Sequence, residues 1–144
     1  MTATRRKIPS RLAARLRRVA LYRCGYCLTD ETLMGMRLEI EHIIPLATGG
    51  VDEEANLWPA CRRCNGFKGA QTHAPDAVTG RAAPLFNPRA QNWPEHFAWN
   101  TEGTHINGLT PTGRATVAAL KLNSPEIVVA RRRWAGVGWW PPED

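Results

Sequence analysis

Four cysteines stand in two pairs, Cys24 with Cys27 and Cys61 with Cys64, and two residues separate the members of each pair. Four thiolates suit a tetrahedral zinc ion with Zn–S distances of about 2.3 Å. A redox-active pair is the alternative, but such a site usually needs one CxxC beside a βαβ pattern, and this sequence has no such pattern. We therefore predict a structural zinc site that clips the segment between the pairs to a following helix.

Four polar residues accompany the cysteines: Glu41 and His42 are adjacent, Asn56 follows, and Asn65 comes directly after the last cysteine. An imidazole accepts a proton near neutral pH and can act as a general base. Mg²⁺ prefers oxygen ligands and keeps several waters, so one carboxylate and one amide oxygen are enough to hold it. Taken singly, a histidine can be a hydrogen-bonded core residue and each asparagine a turn or helix-start residue. Together they indicate one metal ion beside one base.

The elements that must position these residues are two strands and a short helix, predicted at residues 36–45, 56–58 and 61–69. Pro45 and Pro59 should end the two strands, because proline cannot donate to a central ladder. Strict alternation along a strand places Glu41 and His42 on opposite faces. Because both must reach one substrate, we predict that the backbone bulges or turns at His42.

Residues 1–23 are rich in arginine and contain no acid. Ser10 can cap a helix whose apolar residues recur at helical spacing, while Arg15 and Arg18 share another face. A basic helix face is most often simply solvated, and an organellar transit peptide is also rich in arginine. A phosphate-contacting helix is the functional alternative, and it makes Arg15 and Arg18 candidate nucleic-acid contacts.

The second half of the chain is less informative. Residues 71–95 are rich in proline, alanine and asparagine and predict an extended connector. A hairpin is expected at residues 97–106, followed by helices that begin after Thr110 and Ser124, each with proline at its first position. Most tryptophans lie here, where they can fill a core or stack on bases. We predict an N-terminal helix and a zinc-stapled core at residues 1–70 and, at residues 71–144, a connector with a hairpin and helices packed on that core.

Composition limits the class of protein. The chain has 144 residues, a formal net charge of +6, 43% hydrophobic and 22% charged residues. These values are typical of a single globular protein of about 150 residues or fewer, and no apolar run approaches the roughly 20 residues that cross a bilayer. The sequence has no signal-like apolar segment near its start. Four unpaired thiols then favour a reducing, cytoplasmic location.

The sequence resembles the HNH endonuclease family, in its four-cysteine branch. The resemblance is carried by residues 24–27 (CGYC), 38–46 (LEIEHIIPL), 49–50 (GG), 56–57 (NL) and 61–68 (CRRCNGFK). It covers about half the chain, and the cysteine pairs and the acid-His-Asn-Asn set occur in the order that the family uses. The resemblance implies an α+β fold with a small ββα-metal core and metal-dependent cleavage of nucleic acid, usually DNA.

The resemblance also implies roles for individual residues. His42 takes the place of the general base, Glu41 and Asn65 the places of ligands to a catalytic Mg²⁺ or other divalent cation, and Asn56 the middle position of the motif, where it ties the loop between the strands. The family's acid is most often Asp and its last motif residue often His. Asn65 keeps an oxygen ligand, which weakens the case for a soft transition metal. Glu39 is either an extra ligand, a partner of the ligands or a solvated carboxylate.

Three basic residues of the predicted helix, Arg62, Arg63 and Lys68, are candidate phosphate contacts, with ordinary surface charge as the alternative. The leading hypothesis is an HNH endonuclease, a hydrolase acting on phosphodiester bonds of DNA, with RNA as a further possible substrate. The alternative, from another class, is a zinc-stabilised nucleic-acid-binding module without hydrolytic activity. Both predict basic charge and salt-sensitive binding. Only the enzyme requires Glu41 and His42 to act together with Asn65.

Overall fold

The computed structural model describes residues 8–143. The described chain forms two compact units. The first runs to Thr72 and includes Asn87–Ala90, and the second comprises His73–Phe86 and the residues from Gln91 onward. Short helices and two-stranded antiparallel sheets make up both units. The prediction of an α+β fold with a small core of two strands and a helix is confirmed. Of the helices within residues 8–143, none is long and apolar enough to cross a membrane.

The first unit begins with the predicted basic helix, α1 (Ser10–Val19). Pro9 precedes it, and Ser10 is its first residue rather than a side-chain cap. Ala13 and Leu16 lie three residues apart on the buried face, where they pack with Ile40 and Leu57 of the sheet. The arginines of the last turn suit the negative end of the helix dipole. The apolar stripe of α1 therefore anchors the hairpin that carries the polar residues.

That hairpin consists of β1 (Glu39–His42) and β2 (Leu57–Ala60), paired so that Ile40 lies opposite Pro59 and His42 opposite Leu57. The prediction that Pro59 ends the second strand is wrong. In a two-stranded sheet each strand has one unpaired edge, so a proline there removes no ladder hydrogen bond. A short helix before β1, α2 (Glu31–Met34), was not predicted; the Asp30 carboxylate caps it by accepting from the Thr32 N–H.

The backbone does not bulge at His42. β1 keeps regular pairing through His42, and the chain bends immediately afterwards, at Ile43 and Ile44. After β2 comes α3 (Arg62–Lys68), which ends at Gly69 with a φ of 53°. Cys61 caps this helix, because its sulfur accepts from the Cys64 N–H. The predicted order of two strands and a helix is confirmed, but the change of direction lies one residue later than expected.

The second unit contains two hairpins and three helices: β3 (His73–Pro75), β4 (Ala82–Pro84), α4 (Trp93–His96), β5 (Phe97–Trp99), β6 (Ile106–Gly108), α5 (Pro111–Ala119) and α6 (Pro125–Gly136). The prediction of an extended connector is wrong for residues 73–84, which form the first hairpin. Thr110 caps α5 as its sequence predicts. Four tryptophans form a chain of ring contacts with centroid separations of 5.0–5.5 Å, namely Trp93, Trp99, Trp134 and Trp140. Trp140 is buried and the other three rings are partly buried, whereas Trp139 is exposed.

Candidate active site and metal centre

All four cysteines come together in the first unit. Cys24 and Cys27 lie in a turn between α1 and α2, while Cys61 and Cys64 lie at the start of α3, and all are buried. Their sulfur atoms lie within 4.8 Å of one another. The Cys27 and Cys61 sulfurs are 3.8 Å apart. A regular tetrahedron with metal–sulfur distances of about 2.3 Å has ligands about 3.8 Å apart, so the cluster has the dimensions of a tetrahedral metal site.

The turn around the first pair requires glycine at position 25. A Cβ atom at Gly25 would lie 2.4 Å from Cδ1 of Trp58 and 2.7 Å from Cβ of Pro88. The Tyr26 N–H points at the Cys24 sulfur, at 3.4 Å. The missing side chain thus lets the first pair approach the second strand closely, which brings the two pairs into one cluster.

The thiols strongly affect one another's protonation. Hydrogen bonds with the other thiols, first with Cys24, hold the pKa of Cys27 well below its usual value. Burial is the main cause that raises the pKa of Cys24, while the hydrogen bond with Cys24 is the main cause that raises the pKa of Cys64. Buried thiols that share protons in this way are chemically suited to exchange them for a cation.

The end of β1, the bend after it and α3 form a pocket of about 190 Å³. One of its lining residues, Asn65, directly follows Cys64 of the cysteine cluster. Its lining includes Glu41, His42 and Asn65, together with Pro45, Leu46 and Gly69. Three of the four polar residues singled out from the sequence therefore share one cavity. The bend after His42 allows two consecutive residues to border the same space.

Glu41 is a buried carboxylate at this pocket, with 2% of its surface exposed. Its Oε1 accepts a hydrogen bond from the Tyr26 hydroxyl, and its Oε2 lies 3.7 Å from the Lys68 ammonium. Burial raises the pKa of Glu41, and the charge of Lys68 opposes that effect. Burial also raises the pKa of Tyr26, with the charge of Glu41 as a second cause, so the phenol remains a donor. Within the described chain, Oε2 accepts no hydrogen bond.

His42 is held by a residue that the sequence reasoning missed. Its Nε2 lies 2.8 Å from Oδ1 of Asp52, and the His42 side chain is only 6% exposed. Asp52 lies in the loop between the strands, among other acids. No motif or spacing distinguishes Asp52 from its neighbours Glu53 and Glu54, so only the folded loop reveals the contact.

Asn56 does not line the pocket. Its side-chain Oδ1 accepts from the Ile44 N–H at 2.8 Å, and its Nδ2 donates to the carbonyls of Ile44 at 2.9 Å and Val51 at 2.8 Å. The Asn56 backbone carbonyl also accepts from Ile43 N–H at 2.8 Å. These contacts hold both ends of the loop that follows His42.

Asn65 projects from α3 towards β1. Its Nδ2 donates to Oε1 of Glu39 at 2.9 Å. Because a carboxamide donates through nitrogen, this contact leaves Oδ1 of Asn65 as the acceptor atom available to a cation. Glu39 therefore orients the amide of Asn65, one of the roles that the sequence left open for it.

The basic residues proposed from the sequence divide into two groups. Lys68 is not a surface contact, because it is 2% exposed and donates to the carbonyls of Ile43 at 2.9 Å and His42 at 3.4 Å. This corrects the expectation that Lys68 reaches phosphate: the ammonium is used inside the fold. The remaining four are exposed or partly exposed, namely Arg15, Arg18, Arg62 and Arg63.

Two of these four arginines have partners. Arg15 pairs with Glu54 at 2.5 Å, and both side chains are largely in solvent. Such a solvent-exposed pair contributes little to stability, so a phosphate can compete for the guanidinium. The Arg63 guanidinium lies 5.5 Å from the centre of the Phe67 ring. The four arginines thus belong to two helices, α1 and α3.

The geometry fits a hard divalent cation at the pocket. The available donors are a carboxylate oxygen of Glu41 without a hydrogen bond and the amide oxygen of Asn65, which are the ligand types that Mg²⁺ prefers. The cysteine cluster offers only sulfur, which suits a softer ion. The donor atoms at the pocket therefore differ in chemical type from those of the cysteine cluster.

Comparison with known proteins agrees with this geometry. Residues 24–71 match the sequence model of the family described as HNH endonuclease, and this segment contains every cysteine and every residue lining the pocket. Residues 24–71 thus form an HNH domain, a domain type that is typical of nucleases that use divalent metals.

One known relative extends the similarity beyond this segment. Septu protein PtuB of Bacillus thuringiensis is 31% identical over 119 residues, which cover 79% of this chain and 42% of that protein. The chain therefore spans less than half the length of this relative. No solved structure matches the chain.

Proposed function

We propose that this chain is a metal-dependent endonuclease that hydrolyses phosphodiester bonds of DNA. The observation that supports the proposal most strongly is the pocket that Glu41, His42 and Asn65 share within an HNH domain. An imidazole, a carboxylate and a carboxamide around one cavity supply a base and cation ligands within reach of one phosphate.

His42 acts as the general base in this proposal. It takes one proton from a water molecule, whose oxygen attacks phosphorus while the bond from phosphorus to the 3′ oxygen breaks. The departing oxygen takes up a proton from solvent, which leaves a 3′-hydroxyl and a 5′-phosphate end. The burial of the ring and its contact with Asp52 support a fixed orientation for this step.

Glu41 and Asn65 hold the catalytic divalent cation, for which Mg²⁺ is the first candidate. Bound there, the cation neutralises charge on the phosphate and on the leaving oxygen. Asn65 is oriented by Glu39, and Glu41 is fixed by the Tyr26 hydroxyl. Both ligands are therefore preorganised, which limits the cost of collecting them around an ion.

The four cysteines hold a structural Zn²⁺ in this proposal. The tetrahedral spacing of the sulfurs and the burial of all four residues support zinc and a role in stability. Because Asn65 follows Cys64 directly, an ion there also fixes the start of α3 and the position of the amide. Catalysis and scaffold thus use different ions on neighbouring residues.

DNA contacts are assigned to Arg15, Arg18, Arg62 and Arg63, and the net charge of +6 supports a polyanionic partner. We assign the nuclease activity to residues 1–70 and propose that residues 71–144 are an extension with its own core. Arginines of this kind contact phosphate without reading sequence, so they support binding to many DNA sequences.

One observation favours a second candidate, a zinc-stabilised nucleic-acid-binding module without hydrolytic activity. Glu41 is almost fully buried, and both of its oxygens have a neighbour that can satisfy them, the Tyr26 hydroxyl and the Lys68 ammonium. A carboxylate in that environment can serve the fold alone. Under this candidate, DNA binding is independent of Mg²⁺.

A plasmid assay separates the two candidates. Purified zinc-loaded protein is incubated with supercoiled plasmid in Mg²⁺, Mn²⁺, Ca²⁺ or no added divalent ion, and binding to the same plasmid is measured in parallel. The enzyme proposal expects nicked or linear DNA only with a supporting divalent ion, and an Asn65→Ala variant that needs more of that ion. Binding without cleavage in every ion would favour the module.

A further inference from the structure

The neighbour of His42 gives the pocket a more specific chemistry. Nε2 of His42 and Oδ1 of Asp52 are 2.8 Å apart, with 6% of the histidine side chain and 25% of the aspartate side chain exposed. This is therefore not an ordinary surface ion pair, since one member is withdrawn from solvent. At this length the contact is a hydrogen bond, so one of the two groups is the donor and the other is the acceptor.

The chemical types of the two groups decide that direction. An ionised carboxylate only accepts hydrogen bonds, so the contact requires a proton on Nε2 of the imidazole. A neutral imidazole carries one proton, which leaves the lone pair on Nδ1. Asp52 thereby selects one of the two tautomers of His42 and identifies Nδ1 as the atom that can take a proton from water.

Independent features of the loop fix Asp52 in place. The neighbouring Val51 carbonyl accepts from the Asn56 side chain at 2.8 Å. The Gly50 N–H donates to the Pro45 carbonyl at 2.9 Å, and a Cβ atom at Gly50 would lie 1.7 Å from the Ile44 carbonyl oxygen. The loop is thus folded tightly back on the bend after β1, and these contacts fix the position of Asp52 beside the imidazole ring.

We propose that Asp52 is the positioning residue of His42: its carboxylate holds the ring in the Nε2–H tautomer and fixes its orientation, so that Nδ1 is the acceptor atom. This inference rests on the proposed function of His42 as base. Removal of a carboxylate that orients a metal-bound histidine typically reduces activity by about 10- to 100-fold, and we expect a loss of that size for the partner of His42. The loss should appear in kcat, because Asp52 acts on the base and not on DNA binding.

The experiment combines a spectroscopic and a kinetic measurement on the full zinc-loaded chain. The ring nitrogens of His42 are observed by ¹⁵N NMR, assigned by comparison with His42→Ala, in the wild type and in Asp52→Ala and Asp52→Asn. The matched controls are Glu53→Ala and Glu53→Gln, which remove the same charge from the next residue of the same loop. Kinetics with Mg²⁺ and plasmid DNA are measured on all six proteins.

We expect the wild type and both Glu53 variants to show the Nε2–H tautomer, and both Asp52 variants to lose it. Asp52→Ala should lower kcat about 10- to 100-fold with little change in KM. An unchanged tautomer in Asp52→Ala, or an unchanged kcat, would overturn the inference. So would a higher Mg²⁺ requirement with an unchanged tautomer, which would make Asp52 a metal ligand.

Failure of the proposed function has a different signature. If the wild type does not cleave, or if His42→Ala cleaves equally well, the nuclease assignment to His42 fails whatever Asp52 does. The NMR measurement requires no cleavage, and it decides separately whether Asp52 selects the tautomer. The two proposals can therefore fail one at a time.

Discussion

Lys68→Met tests whether the buried ammonium of Lys68 stabilises the first unit. The ammonium donates to the Ile43 and His42 carbonyls at 2.9 and 3.4 Å and lies 3.7 Å from Glu41 Oε2. Methionine fills a similar volume but provides neither the charge nor the donors. The variant therefore leaves a buried carboxylate without its cation and two carbonyls at the bend without a partner.

The expected loss is large. Removal of one member of a buried ion pair costs about 3–5 kcal/mol, and one hydrogen bond from a charged donor contributes about 1.5–3 kcal/mol. The terms are not additive, because Glu41 can relieve part of the penalty by taking up a proton. We expect the free energy of opening of the first unit to fall by about 3–5 kcal/mol.

Native-state amide exchange measures this quantity locally. The Ile43 N–H donates to the Asn56 carbonyl, so its exchange reports opening at the bend. The control is Arg62→Met on the same helix, an exposed residue whose change should stay within about 0.5 kcal/mol. Glu41→Gln combined with Lys68→Met should recover at least about 1 kcal/mol relative to additivity. A Lys68→Met loss no larger than that of the control, or strict additivity in the double variant, would refute the reasoning.

Three further predictions follow from the two units. Cys61→Ala should lose its zinc and most of the ordered structure of the first unit, as measured by metal analysis and circular dichroism; one full equivalent of retained zinc would contradict the tetrahedral site. Gly50→Ala, with its 1.7 Å clash, should destabilise the protein by about 1–3 kcal/mol, whereas Gly66→Ala, on an open face of α3, should stabilise it by about 0.5–1 kcal/mol in the same urea titration. The Arg114 guanidinium holds the pKa of Asp76 well below its usual range. The pair therefore adds stability above about pH 4, and this stability is lost as the pH falls towards the lowered pKa of Asp76. Below about pH 4 the free energy of unfolding should decline more steeply for the wild type than for Asp76→Asn, and equal slopes for the two proteins would contradict this role of the pair.

The parts of the site that could be predicted from the sequence depend on local spacing. Two residues separate the cysteines of each pair, so each pair forms a compact turn, and Asn65 lies beside Cys64 because the two are adjacent in the sequence. These local groupings could therefore be predicted from the sequence positions. The α1 helix could be predicted for the same reason, because its apolar stripe has a helical period.

The features that were missed depend on contacts between distant segments. Lys68 looks like its arginine neighbours until the fold places it against the bend after His42. Asp52 is one acid among several until the loop closes on the imidazole. Pro59 enters a strand because the sheet has only two members, which no local pattern encodes. The hairpin of residues 73–84 is missed because its strands are three residues long and rich in alanine and proline.

The most direct test of the account is single-turnover cleavage of labelled DNA by His42→Ala beside the wild type, with zinc content and DNA binding measured on the same samples. We predict that the variant keeps its zinc and binds DNA with unchanged affinity, yet cleaves in Mg²⁺ at least about 100-fold more slowly, as expected when a general base is removed. Equal cleavage rates for the two proteins would contradict the claim that this imidazole and the oxygen ligands beside it act on one phosphodiester bond.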